Sequence, residues 1–380
     1  GDKERNGILR LIRSAVNGLP DWRTIVTVRT FDARKSRELL GLFPPGPSDA
    51  RSSEIPCRHF MVPELSPGEL EQAFQQVPAI RALYDTGSQE FRDLLLVPFN
   101  LRLVEHLLQD GVSPDELSQV SSETHLLEKY WERRVLQPRD TDDRQLLLKR
   151  AARVMVEERL LKARRDQVYE ASMSTAWQEL LSDELLSIPQ DSGYVTFGHN
   201  ILFDFAVSKL LLDRDPSKLA AFVAEQPSRP LFLRPSLLYH FTSMWHFQRD
   251  CFWGNYWDGL SRNESHLRPI IRLVLPAAIV NEARALADLK PILDRLATDE
   301  KGSEAVAFQV HALRALGTKR SALWAEFIHA TSEHLHHHFA WEAGALMLGF
   351  CKDPELSAVI PHCSEFGRRL LDWNLNSRGG

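Results

Sequence analysis

A chain of 380 residues exceeds what one hydrophobic core organises, so two to four domains are expected. Hydrophobic residues at 43% and charged residues at 26% are ordinary for a globular protein, and no apolar stretch is long enough for a membrane span. The net charge of −5 argues against a dedicated nucleic-acid binder, and four scattered cysteines without a CxxC pair argue against a disulfide framework or zinc site and for a reducing cytoplasm.

The first six residues carry neither an initiator methionine nor a signal pattern, so the chain reads as beginning in mid-sequence. Apolar Ile8, Leu9, Leu11, Ile12 and Val16 predict a helix over residues 4–19, closed by Pro20 and Asp21. Residues 24–29 form a β-branched run that predicts a buried strand. A helix over 33–42, a proline-rich loop and a second strand over 57–62 follow. Helix, strand, helix, strand over residues 1–64 is the tail of an α/β sheet.

Residues 65–137 read as helical. Ser66, Pro67 and Glu69 form a helix start with cap, first-position proline and capping-box glutamate. Ser88 opens a helix that meets Pro98, and residues 99–108 continue as a strongly apolar one. Further helices are predicted over 114–120 and 122–136. In residues 138–226, helices over 142–163 and 174–187 precede a hairpin whose arms are 185–188 and 194–197, with a helix over 199–212 behind it. Two helices, a hairpin and a helix suggest a winged helix. Residues 227–380 run helix after helix, in the rhythm of degenerate HEAT-like repeats. The aromatic concentration at Tyr239, Phe241, Trp245, Phe247, Phe252, Trp253, Tyr256 and Trp257 reads as core beneath the first repeats, a partner surface being the alternative.

Four short segments then acquire a common meaning. Ile25-Val26-Thr27-Val28-Arg29 is similar to a strand ending in a sensor arginine, and Phe60-Met61-Val62-Pro63-Glu64-Leu65-Ser66 to a last sheet strand entering a lid helix. Val97-Pro98-Phe99-Asn100-Leu101-Arg102-Leu103 is similar to a lid motif whose proline packs on adenine. Residues 194–206, from Tyr194-Val195-Thr196-Phe197-Gly198-His199 to Ala206, are similar to a winged-helix F-x-H…F-x-A signature. In this order, over residues 1–212, the chain resembles the back half of the NACHT/STAND signal-transduction ATPases. The fold implied is mainly α: the remnant of a P-loop α/β sheet, a helical lid, a winged helix and HEAT-like helical repeats.

The resemblance implies that Arg29 pairs with a γ-phosphate, Pro98 touches the base and His199 hydrogen-bonds a diphosphate. Each residue also has a plainer reading. An arginine at a strand end can make surface or intra-domain pairs, a proline can simply break the chain between two lid helices, and a lone histidine can be a satisfied structural residue or a helix cap. The family often has glycine two residues before the lid proline, where this chain has Leu96. No G-x-x-x-x-G-K-[ST] loop is present, nor a strand ending in paired acidic residues, so the chain alone is expected neither to bind ATP tightly nor to hydrolyse it. In the intact parent, expected to be a slow cytoplasmic ATPase, ATP or ADP with Mg²⁺ would be the cofactor. Self-association would follow nucleotide exchange, and the repeats would bind a protein or other ligand. No membrane partner is expected. The alternatives are a non-enzymatic helical-repeat scaffold and a winged-helix DNA-binding regulator.

Two other clusters carry less. His334 and His338, spaced i, i+4 in the run 333–338, read as an adventitious surface cluster without a third metal ligand. The basic end of residues 157–165 reads as cations at a helix C-terminus, with a DNA contact as the alternative.

Overall fold

The computed structural model describes residues 2–18, 64–189, 193–226, 229–261, 268–298, 300–318, 320–334, 337–352 and 356–377. The expected strands over 24–29 and 57–62, the helix over 33–42, Arg29 and Cys57 lie outside these residues. The described part is mainly helical, with twenty-one α-helices and three short strands. The chain divides into two compact units, Gly1–Pro138 and Arg139–Gly380.

In the first unit, α1 (Asp2–Gly18) buries Leu9 and Ile12. Six further helices follow: α2 (Pro67–Gln76), α3 (Pro78–Thr86), α4 (Gln89–Leu95), α5 (Pro98–Gln109), α6 (Pro114–Ser118) and α7 (Glu123–Trp131). Their starts are written locally. Ser66 caps α2 in a full capping box, its backbone N–H donating to Glu69 at 2.8 Å. Ser88, Ser113 and Ser122 cap α4, α6 and α7 through their hydroxyls. Prolines occupy the first turn of α2, α3, α5 and α6, where the missing N–H has no intrahelical partner to lose. The helix expected over 122–136 is α-helical only to Trp131 and continues as a wider π turn over Glu132–Leu136. That turn brings Arg134 to the Asp110 carboxylate, with Nη2 to Oδ1 at 2.9 Å.

The second unit opens with α8 (Thr141–Glu158), whose buried Arg144, Leu147, Leu148, Ala151, Ala152 and Met155 recur at helical spacing. α8 ends five residues before the expected 163, because Arg159 takes a left-handed conformation at φ 55°. The chain then makes β1 (Ala163–Arg164), α9 (Arg165–Val168), α10 (Ser174–Ser182), β2 (Leu186–Ser187), β3 (Tyr194–Phe197) and α11 (Asn200–Leu210). The expected hairpin is present as β2 and β3, while the helix expected over 174–187 stops at Ser182 so that Leu186 can enter the sheet. β1 adds a third strand, giving the antiparallel order β1-β3-β2 with Ala163 opposite Val195 and Leu186 opposite Phe197. These four side chains face inward, as strand alternation requires.

From α11 onward the unit is a stack of helices. α12 (Pro216–Ala224), α13 (Arg229–Phe232), α14 (Arg234–Phe247), α15 (Arg249–Ser261), α16 (Arg268–Glu282), α17 (Lys290–Leu296), α18 (Glu300–Leu316), α19 (Ser321–Ala330), α20 (His337–Phe350) and α21 (Leu356–Ser377) complete it. α11 packs on α14, α14 on α16, α16 on α18 and α18 on α20, so each helix meets one beyond its sequence neighbour. The aromatic concentration is core: Phe241, Trp245, Phe252, Trp253 and Tyr256 are buried, and only Phe247 of the eight stands well exposed. Where α17 meets α18, Gly302 lets backbones touch, since a Cβ there would lie 2.3 Å from the Leu296 nitrogen. Among the described residues, no helix is long and apolar enough to cross a membrane.

Candidate functional site

Of the three residues expected to read a nucleotide, Arg29 lies outside the described residues. Pro98 belongs to the first unit and His199 to the second, so each is described in its own surroundings.

Pro98 is the first residue of α5, and its ring is exposed. Val97 before it is extended, at φ −96° and ψ 117°, as the residue ahead of a proline must be. The turn is pinned from behind, where the Leu65 N–H donates to the Leu96 carbonyl at 2.8 Å. The start of the helical region is therefore tied to the strand-like step that presents Pro98. Leu96, where the family often has glycine, sits in ordinary right-handed backbone at φ −69° and ψ −13°, so nothing in this turn demands glycine.

His199 stands at the junction of β3 and α11, and the residues around it explain why the junction is tight. Gly198 passes so close to Glu184 that a Cβ would sit 2.0 Å from the Glu184 carbonyl oxygen. Glu184 itself is left-handed at φ 57°, the turn by which the chain leaves α10 for β2. The Gly198 N–H donates to the Leu185 carbonyl at 3.0 Å, closing the end of the sheet. Immediately afterward His199, extended at φ −145° and ψ 148°, caps α11, its Nδ1 accepting from the Ile201 N–H at 3.2 Å. An accepting Nδ1 leaves the proton of the neutral ring on Nε2. The imidazole is exposed at the positive end of the helix dipole, an environment that suits an anion.

Behind its cap, α11 is buried on every side from Leu202 to Ser208 and is locked to α14 by polar contacts. Asp204, buried, accepts from the Ser236 hydroxyl at 2.9 Å. His240 of α14 lies between two carbonyls, with Nδ1 3.2 Å from the Ser208 oxygen and Nε2 3.1 Å from the Asp213 oxygen. Burial lowers its pKa to about 4 against the pull of those two carbonyls, and the nearby Lys209 and Arg214 add to the drop. A buried charge anchors the other side: Arg144 of α8, 2% exposed, pairs with Asp183 and lies 3.4 Å from Glu179 at the end of α10. His199 thus rides on a helix with fixed neighbours.

A second feature lies at the other edge of the sheet. An open cleft of about 520 Å³ is lined by Arg164, Arg165, Asp166, Tyr169, Gly193 and Tyr194. Arg164 grips Asp166 through two hydrogen bonds of 3.1 and 2.6 Å, which holds the carboxyl below its ordinary range. Arg165 lies over the rings of Tyr169 and Trp177 at 5.3 and 5.8 Å, and Lys162 lies 4.6 Å over Tyr194. These cations were expected to close a helix. Because α8 stops at Glu158 with no basic residue in its last turn, they line a strand edge instead.

No protein-family model matches the chain, and no curated protein matches it.

In the histidine run, His334 ends a 3₁₀ turn over Ser332–His334, and α20 begins at His337. Among the described residues, no group of three His, Cys, Asp or Glu side chains is set to hold a metal ion. Sequence reading missed Arg144, whose burial no local pattern announces, and the approach of Cys363 to Met347, which depends on the packing of α20 on α21.

Proposed function

We propose that the chain is the lid, winged-helix and helical-repeat part of a NACHT/STAND-type nucleotide switch, with residues 65–137 as lid, 138–226 as winged helix and 227–380 as HEAT-like repeats. Residues 1–64 would complete the P-loop sheet. The observation that carries the reading is His199: an exposed imidazole capping the helix that follows a three-stranded antiparallel sheet, at a point where anions are favoured. Its Nε2–H would donate to a diphosphate, and Pro98, exposed at the start of α5, would meet the base. Phosphate grip, Mg²⁺ and the attacking water would come from a segment that is not in these 380 residues, as would the partner of Arg29. ATP in place of ADP would loosen the contact at His199. The rigid seam between α11 and α14 would carry that change into the repeats and so to self-association or a bound ligand.

The test is calorimetric titration of ADP and ATP into the protein joined to the segment carrying its phosphate-binding loop. Binding that weakens on Arg29→Ala and His199→Ala supports the switch. If the genome encodes no such loop, or the joined protein binds no nucleotide, the reading fails and a helical interaction scaffold replaces it. One observation favours a different reading: the cleft beside β1 and β3 is cationic and aromatic, as a winged-helix contact to DNA would need. Retention on duplex DNA that collapses with salt, and with Arg165→Ala, is what that reading requires.

A further inference from the structure

Three sulfur atoms converge where the last two helices pack. Met347 and Cys351 are four residues apart, Met347 within α20 and Cys351 on the turn that ends it, where the Cys351 N–H still donates to the Met347 carbonyl at 3.1 Å. Residues so spaced share a helix face. α21 brings Cys363 against that face: its Sγ lies 3.9 Å from the Met347 Sδ and 3.5 Å from the Met347 carbonyl oxygen, and Cys351 is near enough to raise the pKa of its thiol. Met347 is buried, Cys363 half-buried and Cys351 exposed, so the cluster has a closed floor and an open side toward water.

We propose that Met347, Cys351 and Cys363 form a binding site for a monovalent soft metal ion of the Cu(I) class. The donor set is two thiols and a thioether, the softest ligands a protein has, and such ligands select Cu(I). Metal–sulfur bonds of about 2.3 Å in a trigonal plane put the sulfurs about 4 Å apart, close to the 3.9 Å between Cys363 and Met347. Zn²⁺ fits less well, because it takes four ligands and this set offers three. Burial, with Cys351 nearby, pushes the Cys363 thiol up to about 12. Cysteines bind the ion as thiolates, so each S–H bond present breaks and releases its proton, two metal–thiolate bonds and one metal–thioether bond form, and no electron changes hands. Affinity rises with pH in consequence.

The test is anaerobic titration of the reduced, full-length chain with Cu(I) held by bicinchoninate. The site should withdraw one ion per chain, with thiolate-to-metal absorption appearing in the near ultraviolet. Cys351→Ser and Cys363→Ser should each weaken binding at least about a hundredfold, and Met347→Leu about tenfold, while Cys251→Ser changes nothing. Binding that survives Cys363→Ser, or that follows Cys251, overturns the proposal, as does Met347→Leu binding as tightly as the parent. X-ray absorption at the copper edge reads the unaltered protein and so does not depend on variant folding. Three sulfurs near 2.3 Å support the site, and nitrogen or oxygen neighbours overturn it.

Discussion

The sheet-bearing segment, residues 139–212, and the helical stack from α14 to α17 bury large side chains in the same unit by different means. The first relies on direction. A buried arginine pairs with Asp183, Asp204 takes one hydroxyl, and Gly198 allows two backbones to pass within contact. The second relies on mass. Trp245 meets Phe252 edge-on at 5.0 Å, Phe252 lies against Trp253 at 5.4 Å, and Trp253 stacks on Trp257 at 5.9 Å, with Arg249 lying 3.6 Å over Trp245. Directional contacts hold one geometry and tolerate little displacement. Aromatic packing supplies stability that spreads over many contacts.

Substitutions should separate the two. Trp245→Ala removes the centre of the aromatic cluster and should cost about 3–5 kcal/mol, read as a lower urea midpoint, while leaving the α11 cap intact. His240 gives a pH-dependent effect. Its folded pKa of about 4 lies below the ordinary 6.5, so the native state favours the neutral ring. That contribution is complete above pH 6.5 and is lost as pH falls toward 4, up to about 3 kcal/mol in all. Denaturant titrations across that window should show the slope, and His240→Gln should flatten it while lowering stability at pH 7. Gly198→Ala drives a Cβ into the Glu184 carbonyl and should cost about 2 kcal/mol, with hydrogen exchange quickening first in β2 and β3. The smallest effect is at the cap itself. His199→Ala should cost about 0.5–1 kcal/mol, and His199→Asn, which can accept the same N–H, close to nothing.

Local chemistry was the legible part of the sequence. Ser66, Pro67 and Glu69 announce α2 because a capping box needs only four residues, and the turn before Tyr194 announces the hairpin for the same reason. β1 escaped because two residues carry no periodicity, and because the helix before it ends on a left-handed arginine where glycine is the usual signal. The cap by His199 was foreseeable as one of two readings, since a histidine before a helix can serve as cap or as ligand. Arg144 and the sulfur cluster were not legible, because their meaning arises only when α8 meets α10 and α20 meets α21. Pro98 shows the converse: the sequence marks it as a break between two helices, and the structure adds that it is the first residue of α5 with its ring exposed.

Because asparagine keeps the cap and removes the imidazole, one substitution tests the central claim. ADP titration into the protein joined to the proposed phosphate-binding segment, beside the same protein carrying His199→Asn, is the most direct measurement. The account predicts an unchanged unfolding midpoint and an ADP affinity about tenfold weaker, the loss of one hydrogen bond to a charged group. Equal affinity in the two proteins, or no ADP binding in either, would contradict it and leave His199 as a helix cap alone.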